Sequence, residues 1–281
     1  MAEKNNKVQV CQSNDLVEAI YEDELTATEH KVIRYATAKI NMSPDHFPNV
    51  SFSVPEFINA AGLSGQGYHS RVKKIVGELT KKRIRIKTEE QEWFAWFKEL
   101  IYKSGMVYIT FNDLIKPHLI ISEQEKYTKY AFATIGHMKS PYTIRLFELL
   151  QQYAVIGERT IKVEKLKEHL GVKSKYNQYS HFKSKILQRV KEELDEINVL
   201  TYTFEEIKVG RRVDAIKFEI KISDDLNLAV NVKEDEVKAC SENWGYKKKE
   251  VKNFVNKTVE ITLRISLTTG CKEIITNVEL K

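Results

Sequence analysis

Several polar and cationic side chains recur at helical spacing in the second half of the chain. They are His181, Lys183, Ser184, Lys185, Gln188 and Arg189. Lysine and arginine can donate to guanine O6 and N7, glutamine can pair with adenine, and serine or histidine can donate to phosphate or base. At about 100° per residue they share one helix face, with Lys183 nearer the apolar edge and Arg189 at the margin. We expect this face to contact duplex DNA; the alternative is a merely solubilising helix surface.

A second group of cations, Lys208, Arg211 and Arg212, surrounds Gly210. The flanking segments, residues 199–204 and 213–220, alternate apolar and polar residues as half-buried strands do. The pattern therefore predicts a hairpin with a basic tip. A plain hairpin turn needs no such cluster, so we expect the tip to contact phosphate.

A helix and the hairpin after it must position these residues. An apolar stripe at spacings of three and four marks the helix over residues 179–194: Phe182, Ile186, Leu187, Val190 and Leu194. A helix followed by a two-stranded hairpin is how a winged helix-turn-helix domain ends. In such a domain the helix lies in the major groove while the hairpin, or wing, contacts the DNA backbone.

The first half of the chain carries its own basic run, with Glu78 as the only acid inside it. Its members are Arg71, Lys73, Lys74, Lys81, Lys82, Arg83, Arg85 and Lys87. A solvated helix face usually carries both signs, so this clustering favours nucleic acid over that alternative. On a helix predicted over residues 68–82, we expect DNA contacts from Ser70, Arg71, Lys73, Lys74 and Lys81. Few of these can pair with bases in a bidentate manner, so phosphate binding and specific readout both stay open.

The order of elements in the two halves is the same. FSVPEFINAAGL (residues 52–63) aligns with IKVEKLKEHLGV (residues 161–172), which matches Gly62 to Gly171. The matched positions are core positions, so a shared fold is the conservative inference. A chain of 281 residues has room for about two domains. We therefore predict the α+β class, with two tandem winged helix-turn-helix domains and a C-terminal extension.

The predicted organisation has five parts. They are an N-terminal segment (1–25), the first winged-helix domain (26–111), a linker that packs on both domains (112–139), the second winged-helix domain (140–222) and a C-terminal extension of unknown role (223–281). In the extension, the pattern predicts helices near residues 233–241 and 245–256 and strands at 259–267 and 274–280.

Local signals in the first domain are specific enough to predict. Thr26 and Glu29 form a capping box that opens a helix over residues 28–40. Strands are predicted at 84–88, 92–102 and 106–111. The aromatic run WFAWF, which lies in the second of these strands, is interpreted as hairpin core, or as a partner surface if one face is exposed.

Composition excludes several classes of function. The net charge of +6 is modest, so its clustering matters more than its total. Cys11, Cys240 and Cys271 are far apart and indicate neither a disulfide framework nor a zinc site. P-loop, HExxH and GxSxG motifs are absent from the sequence, so we expect no enzymatic activity and no cofactor or metal. No apolar run approaches the ~20 residues of a membrane span, so we expect a cytoplasmic protein without membrane contacts.

The second half resembles the second winged-helix domain of the plasmid replication initiator (Rep) family of theta-replicating bacterial plasmids. The resemblance covers most of residues 140–221 and depends on RLFELL (145–150), Leu170-Gly171, the Tyr-x-x-Phe opening of the long helix, and the GRRV wing. Residues 14–111 resemble the first domain of that family more loosely, mainly in the order of elements.

The resemblance implies a non-enzymatic protein that binds directly repeated origin sites (iterons) in double-stranded DNA. Such proteins open the adjacent AT-rich DNA with host factors, such as the host initiator, and recruit the host helicase. Dimers often repress their own gene, whereas monomers initiate. By position, the base-reading helix of the family maps onto residues 180–189, and its wing contacts map onto Lys208, Arg211 and Arg212.

Two other functions fit parts of the sequence. A winged-helix transcription regulator would bind a single palindromic operator and would have no role in replication. An interaction module would use WFAWF and the C-terminal extension, and its DNA binding would be weak and independent of sequence.

Overall fold

The computed structural model describes residues 8–64, 67–86, 93–121 and 126–222, together with the backbone of residues 225–231, 258–265 and 273–280. Lys87, Cys240, Cys271 and the helices predicted at 233–241 and 245–256 lie outside these residues. The strands predicted in the extension are present as the last two of a three-stranded antiparallel sheet.

Ten α-helices and fourteen strands make up the described parts of the chain. The helices are α1 (Asn14–Val17), α2 (Ala27–Met42), α3 (Val54–Ala60), α4 (Tyr68–Leu79), α5 (Lys116–Leu119), α6 (Phe132–Gly136), α7 (Pro141–Gln151), α8 (Val163–His169), α9 (Tyr179–Phe182) and α10 (Gln188–Ile197). The strands are β1 (Gln9–Ser13), β2 (Ile20–Tyr21), β3 (Asn49–Ser53), β4 (Arg83–Arg85), β5 (Phe94–Ala95), β6 (Phe97–Lys103), β7 (Met106–Phe111), β8 (Tyr127–Ala131), β9 (Glu158–Lys162), β10 (Leu200–Val209), β11 (Arg212–Ile222), β12 (Asp225–Asn231), β13 (Thr258–Ile265) and β14 (Glu273–Leu280). Short 3-10 turns occur at Pro44–His46 and Asp113–Ile115.

The first winged helix is built on an antiparallel sheet of order β3-β7-β6. Its wing is the β6–β7 hairpin, whose two turn residues, Ser104 and Gly105, both have positive φ (49° and 78°), as a type I′ turn requires. The capping box at the start of α2 is confirmed, because the Thr26 hydroxyl accepts from the Glu29 amide and the Glu29 carboxylate accepts from the Thr26 amide.

A small additional antiparallel sheet has the order β2-β4-β5. The prediction of one strand over residues 92–102 is wrong, because the chain bends at Trp96 between β5 and β6. Trp96 and Phe97 are both buried (0% and 4% exposed). The indole of Trp96 and the ring of Phe97 lie side by side, with 6.4 Å between their centres, at this break in the strand.

The second winged helix repeats the topology of the first, with sheet order β9-β11-β10. Gly62 and Gly171, which the alignment matches, follow the short helices α3 and α8 with φ values of 59° and 71°. The left-handed region is easily adopted only by glycine, so both short helices end in the same way. The predicted α+β fold with tandem winged helices is confirmed.

Residues between the two units form structure of their own. Strand β8 pairs antiparallel with β1, from Gln9 opposite Ala131 to Ser13 opposite Tyr127. Helix α6 approaches α3 so closely that a Cβ at Gly136 would lie 3.2 Å from the Ala61 backbone. The exact domain boundaries stay a prediction.

A buried charged cluster, here called the joint, lies where α7 packs against both α2 and α10. Glu148 Oε1 lies 2.5 Å from Arg34 Nε and 2.5 Å from the Tyr130 hydroxyl, and Oε2 lies 3.3 Å from Arg145 Nη1. Burial alone would raise the pKa of Glu148, but the guanidiniums of Arg34 and Arg145 outweigh it and hold this pKa at about 2. The carboxylate is therefore ionised and compensated inside the core.

No helix in the described ranges is long and apolar enough to cross a membrane.

Candidate nucleic-acid interface

The long helix of the second winged helix runs through α9, a π-helical segment (Lys183–Leu187) and α10; we call it the recognition helix. Its predicted apolar stripe is confirmed: Phe182, Ile186, Leu187, Val190 and Leu194 are all at most 2% exposed. The π-helical segment is not visible in the sequence. The Gln188 amide donates to the Lys183 carbonyl, and the Tyr202 hydroxyl donates to the Leu187 carbonyl over 2.7 Å. Such segments inside α-helices occur frequently at functional sites.

The opposite face of the recognition helix is exposed. It carries His181, Ser184, Lys185, Gln188 and Arg189. Lys185, Gln188 and Arg189 have no hydrogen-bond or ion-pair partner among the residues that the structure describes. The Ser184 hydroxyl donates to the His181 carbonyl over 3.3 Å, which leaves its lone pairs and the His181 ring accessible. The face therefore presents two cations, an amide, a hydroxyl and an imidazole side by side.

Lys183 differs from the other predicted DNA-binding residues of this helix. Its Nζ lies 2.8 Å from Glu206 Oε1 on β10, and it is only half exposed. The sequence did not indicate Glu206 as its partner. The alternation along β10 places Glu206 on the same side of the strand as Phe204, which could have indicated an inward-facing carboxylate.

The wing of the second winged helix is the long hairpin of β10 and β11. Gly210 takes the first central position of its two-residue turn with φ 62°, and Val209 lies opposite Arg212. Lys208, Arg211 and Arg212 are all exposed at this tip. None of these three side chains forms an ion pair with another described residue. The structure thus brings the predicted cations together.

The residues predicted on the first long helix, α4, are also exposed. The group comprises Ser70, Arg71, Lys73, Lys74 and Lys81. The Arg71 guanidinium lies 5.3 Å from the centre of the Tyr68 ring, and Lys81 Nζ lies 3.3 Å from Glu78. Within the described part of the chain, Ser70, Lys73 and Lys74 have no such partner. Lys73 and Lys74 are therefore the strongest phosphate-binding candidates on this helix.

The basic run does not form one cationic surface, because its second half is paired with acidic residues. Lys82 lies 3.9 Å from Asp23, Arg83 lies 3.7 Å from Glu22, and Arg85 lies 3.7 Å from Glu168. These acids are distant in sequence, so counting charges along the run could not reveal the pairing. The cationic surface of the first winged helix is consequently smaller than the run suggested.

The first winged helix also has a different contact between helix and wing. His69 Nδ1 on α4 lies 3.1 Å from the Tyr102 hydroxyl on β6, and only Lys103 places a positive charge at the tip beside Ser104 and Gly105. No group of three or more histidine, cysteine, aspartate or glutamate side chains that could hold a metal occurs among the described residues.

Two family models match this chain. "Initiator Replication protein, WH1" matches residues 9–151, which extends through α7, and "Initiator Rep protein, WH2" matches residues 162–220. The chain belongs to the replication initiator protein family. The predicted resemblance is confirmed for both winged helices, and the protein is a replication initiator.

Solved structures with the same fold include that of the Pi initiator protein in complex with iteron DNA. Its TM-score is 0.59 at 17% identity, and the match covers 78% of this chain and 99% of that one. At this identity the likeness shows a shared fold. Domains 2 and 3 of RctB also match, with a TM-score of 0.46, 8% identity and coverage of 69% of this chain and 82% of that one.

Proposed function

We propose that this initiator binds directly repeated duplex sites at a plasmid origin, and that its second winged helix reads their sequence. The observation that carries the proposal is the exposed face of the recognition helix, where Lys185, Gln188 and Arg189 have no partner in the described structure. Arginine, lysine and glutamine are the side chains best suited to base edges in the major groove. The complex of the Pi initiator protein with iteron DNA supports repeats of this type as the site.

The first winged helix has a different role in this proposal. Lys73 and Lys74 are exposed on α4, whereas none of the predicted contact residues on α4 is an amide. Lysine ammonium groups bind phosphate without regard to sequence. The first unit therefore strengthens binding, and the second unit selects the site. With one helix of each unit in the major groove, the protein would cover about 20 bp, or two helical turns.

Later steps follow the family resemblance. The bound initiator opens adjacent AT-rich DNA together with host proteins, including the host initiator, and recruits the host helicase. Self-association into dimers represses its own gene. This role requires no covalent chemistry and no cofactor, and it places the protein in the cytoplasm, where plasmid DNA is replicated.

Binding of the purified chain to the DNA flanking its own gene tests the proposal, with random duplex as the control across a salt series. We expect protection of several evenly spaced direct repeats that persists at physiological salt. Protection of one inverted repeat would indicate a transcription regulator instead. Equal binding to both duplexes would show that the protein does not read the DNA sequence and binds only through its basic surface.

A further inference from the structure

The recognition helix and the wing of the second winged helix are joined by one charged pair. Lys183, at the start of the π-helical segment, lies 2.8 Å from Glu206 on β10. The two side chains are 38% and 23% exposed, so both are partly withdrawn from water. Glu206 lies four residues before Gly210, in the half of the hairpin that projects towards the tip.

Side chains around the pair restrict its geometry. Lys183 Nζ lies 5.7 Å from the centre of the Phe204 ring. The hydrogen bond from Lys183 holds the pKa of Glu206 below its usual value, and burial together with the Glu206 carboxylate raises the pKa of Tyr179. Glu206 is therefore ionised at neutral pH and faces two side chains of the recognition helix.

A carboxylate at this position opposes DNA binding unless it is neutralised. Glu206 belongs to a hairpin whose tip carries Lys208, Arg211 and Arg212, and an unpaired anion there would repel phosphate. Pairing with Lys183 cancels that charge. The same pairing directs the Lys183 ammonium towards the wing instead of the solvent face that carries Lys185.

We infer that Lys183 and Glu206 are positioning residues that set the angle between recognition helix and wing, and that Lys183 does not contact DNA. The inference rests on the proposed function, because the angle matters only if helix and tip engage one site together. Lys183 is the first residue of the π-helical segment, which changes the helical turn that leads to Gln188. The ion pair with Glu206 therefore fixes the recognition helix at the position that orients its exposed face.

Salt dependence separates this role from a phosphate contact. Loss of one phosphate contact reduces the slope of log affinity against log salt by about one. Lys183→Gln should leave the slope on random duplex unchanged, whereas Lys73→Gln, a matched change at the phosphate-binding candidate on α4, should reduce it. Lys183→Gln and Glu206→Gln should each reduce the preference for the repeat-bearing duplex by about twofold to fivefold, the effect expected for loss of a partly exposed ion pair. The exchange Lys183→Glu with Glu206→Lys should restore that preference.

Hydrogen exchange in the free, full-length chain provides a readout that needs no DNA. Glu206→Gln should accelerate amide hydrogen exchange in residues 204–216 severalfold. The double variant Lys183→Glu/Glu206→Lys should restore the protection of these amides. Glu205→Gln, which changes an exposed neighbour, should have no effect. The inference would be overturned if Glu206→Gln left amide hydrogen exchange in the wing unchanged, or if Lys183→Gln reduced the salt slope. Failure of the double variant Lys183→Glu/Glu206→Lys to restore the preference would also overturn it. If the parent chain shows no preference between duplexes, the proposed function fails, and the exchange experiment still decides whether the pair positions the wing.

Discussion

The two winged helices share one sheet topology but differ in how far their wings extend. Strands β10 and β11 contain 10 and 11 residues, whereas β6 and β7 contain 7 and 6. Because a strand rises about 3.3 Å per residue, three further residues add about 10 Å of reach. The longer wing ends in Lys208, Arg211 and Arg212, whereas the shorter one carries only Lys103 at its tip. The same sheet topology thus carries two wings that differ in length and in charge at the tip.

The long helices of the two units also differ in the side chains that they expose. The recognition helix combines Lys185, Gln188 and Arg189 on one exposed face, and α4 presents Lys73 and Lys74. The contact between helix and wing is a charged pair in the second unit and a His69–Tyr102 contact in the first. Under the proposed function, this difference places sequence specificity on the second winged helix and electrostatic attraction on the first. The joint at Glu148 links α2 of the first unit to α7, which also packs against α10 of the second unit.

The largest effect is expected at the joint. Glu148→Ala removes the carboxylate from two buried guanidiniums, Arg34 and Arg145, and should cost about 3–5 kcal/mol of folding free energy. Urea unfolding measures it. Glu192→Ala is the control, because Glu192 is exposed on α10 and should change stability by no more than about 0.5 kcal/mol. If both variants unfold alike, the joint does not stabilise the fold, and the two units should be compared as independent domains.

Substitutions on the recognition helix should affect specific binding next most strongly. Lys185→Ala and Gln188→Ala should each cost about 1–3 kcal/mol on the repeat-bearing duplex and little on random duplex, because they remove base contacts. Competition binding with both duplexes measures the difference. Equal losses on the two duplexes would reassign these residues to the DNA backbone.

Acid should destabilise both units. His30 on α2 and His169 on α8 are buried; desolvation lowers both pKa values, that of His169 to about 3. An unfolded histidine binds a proton below about pH 6.5. The folded ones stay neutral there, so stability falls as pH falls below 6.5, by about 1.4 kcal/mol per pH unit for each histidine. Thermal unfolding from pH 7 to 5 measures the slope, and His169→Gln should flatten it. An unchanged slope in that variant would contradict the assignment.

The smallest effect is expected on α4. Lys73→Ala should weaken binding to both duplexes alike, about threefold at moderate salt, and reduce the salt slope by about one. Lys129→Ala, which removes an exposed lysine on β8, should leave both values unchanged. A selective loss on the repeat-bearing duplex would instead show that the first unit also reads sequence.

Features encoded within a few residues could be predicted from the sequence. The capping box at Thr26, the apolar stripe of the recognition helix and the hairpin turns at Gly105 and Gly210 all belong to this class. Each depends on backbone preferences or on a single hydrophobic face, which local spacing reveals.

Features that depend on distant partners could not be predicted. Arg34 and Glu148 are 114 residues apart, and β1 pairs with β8 across more than a hundred residues. The acids that neutralise the second half of the basic run are also distant from their partners in sequence. Glu206 lies beyond residue 204, where the predicted strand ends, so the sequence did not indicate that it pairs with Lys183. No local pattern marks such contacts, because tertiary packing creates them.

The division of labour between the two winged helices is tested most directly by comparing Lys73→Ala with Lys185→Ala on repeat-bearing and random duplex across one salt series. The account predicts that Lys185→Ala loses discrimination between the duplexes, while Lys73→Ala keeps the discrimination and loses affinity and salt slope on both. If the two variants lose affinity and discrimination to the same extent, the separation of reading from attraction is contradicted.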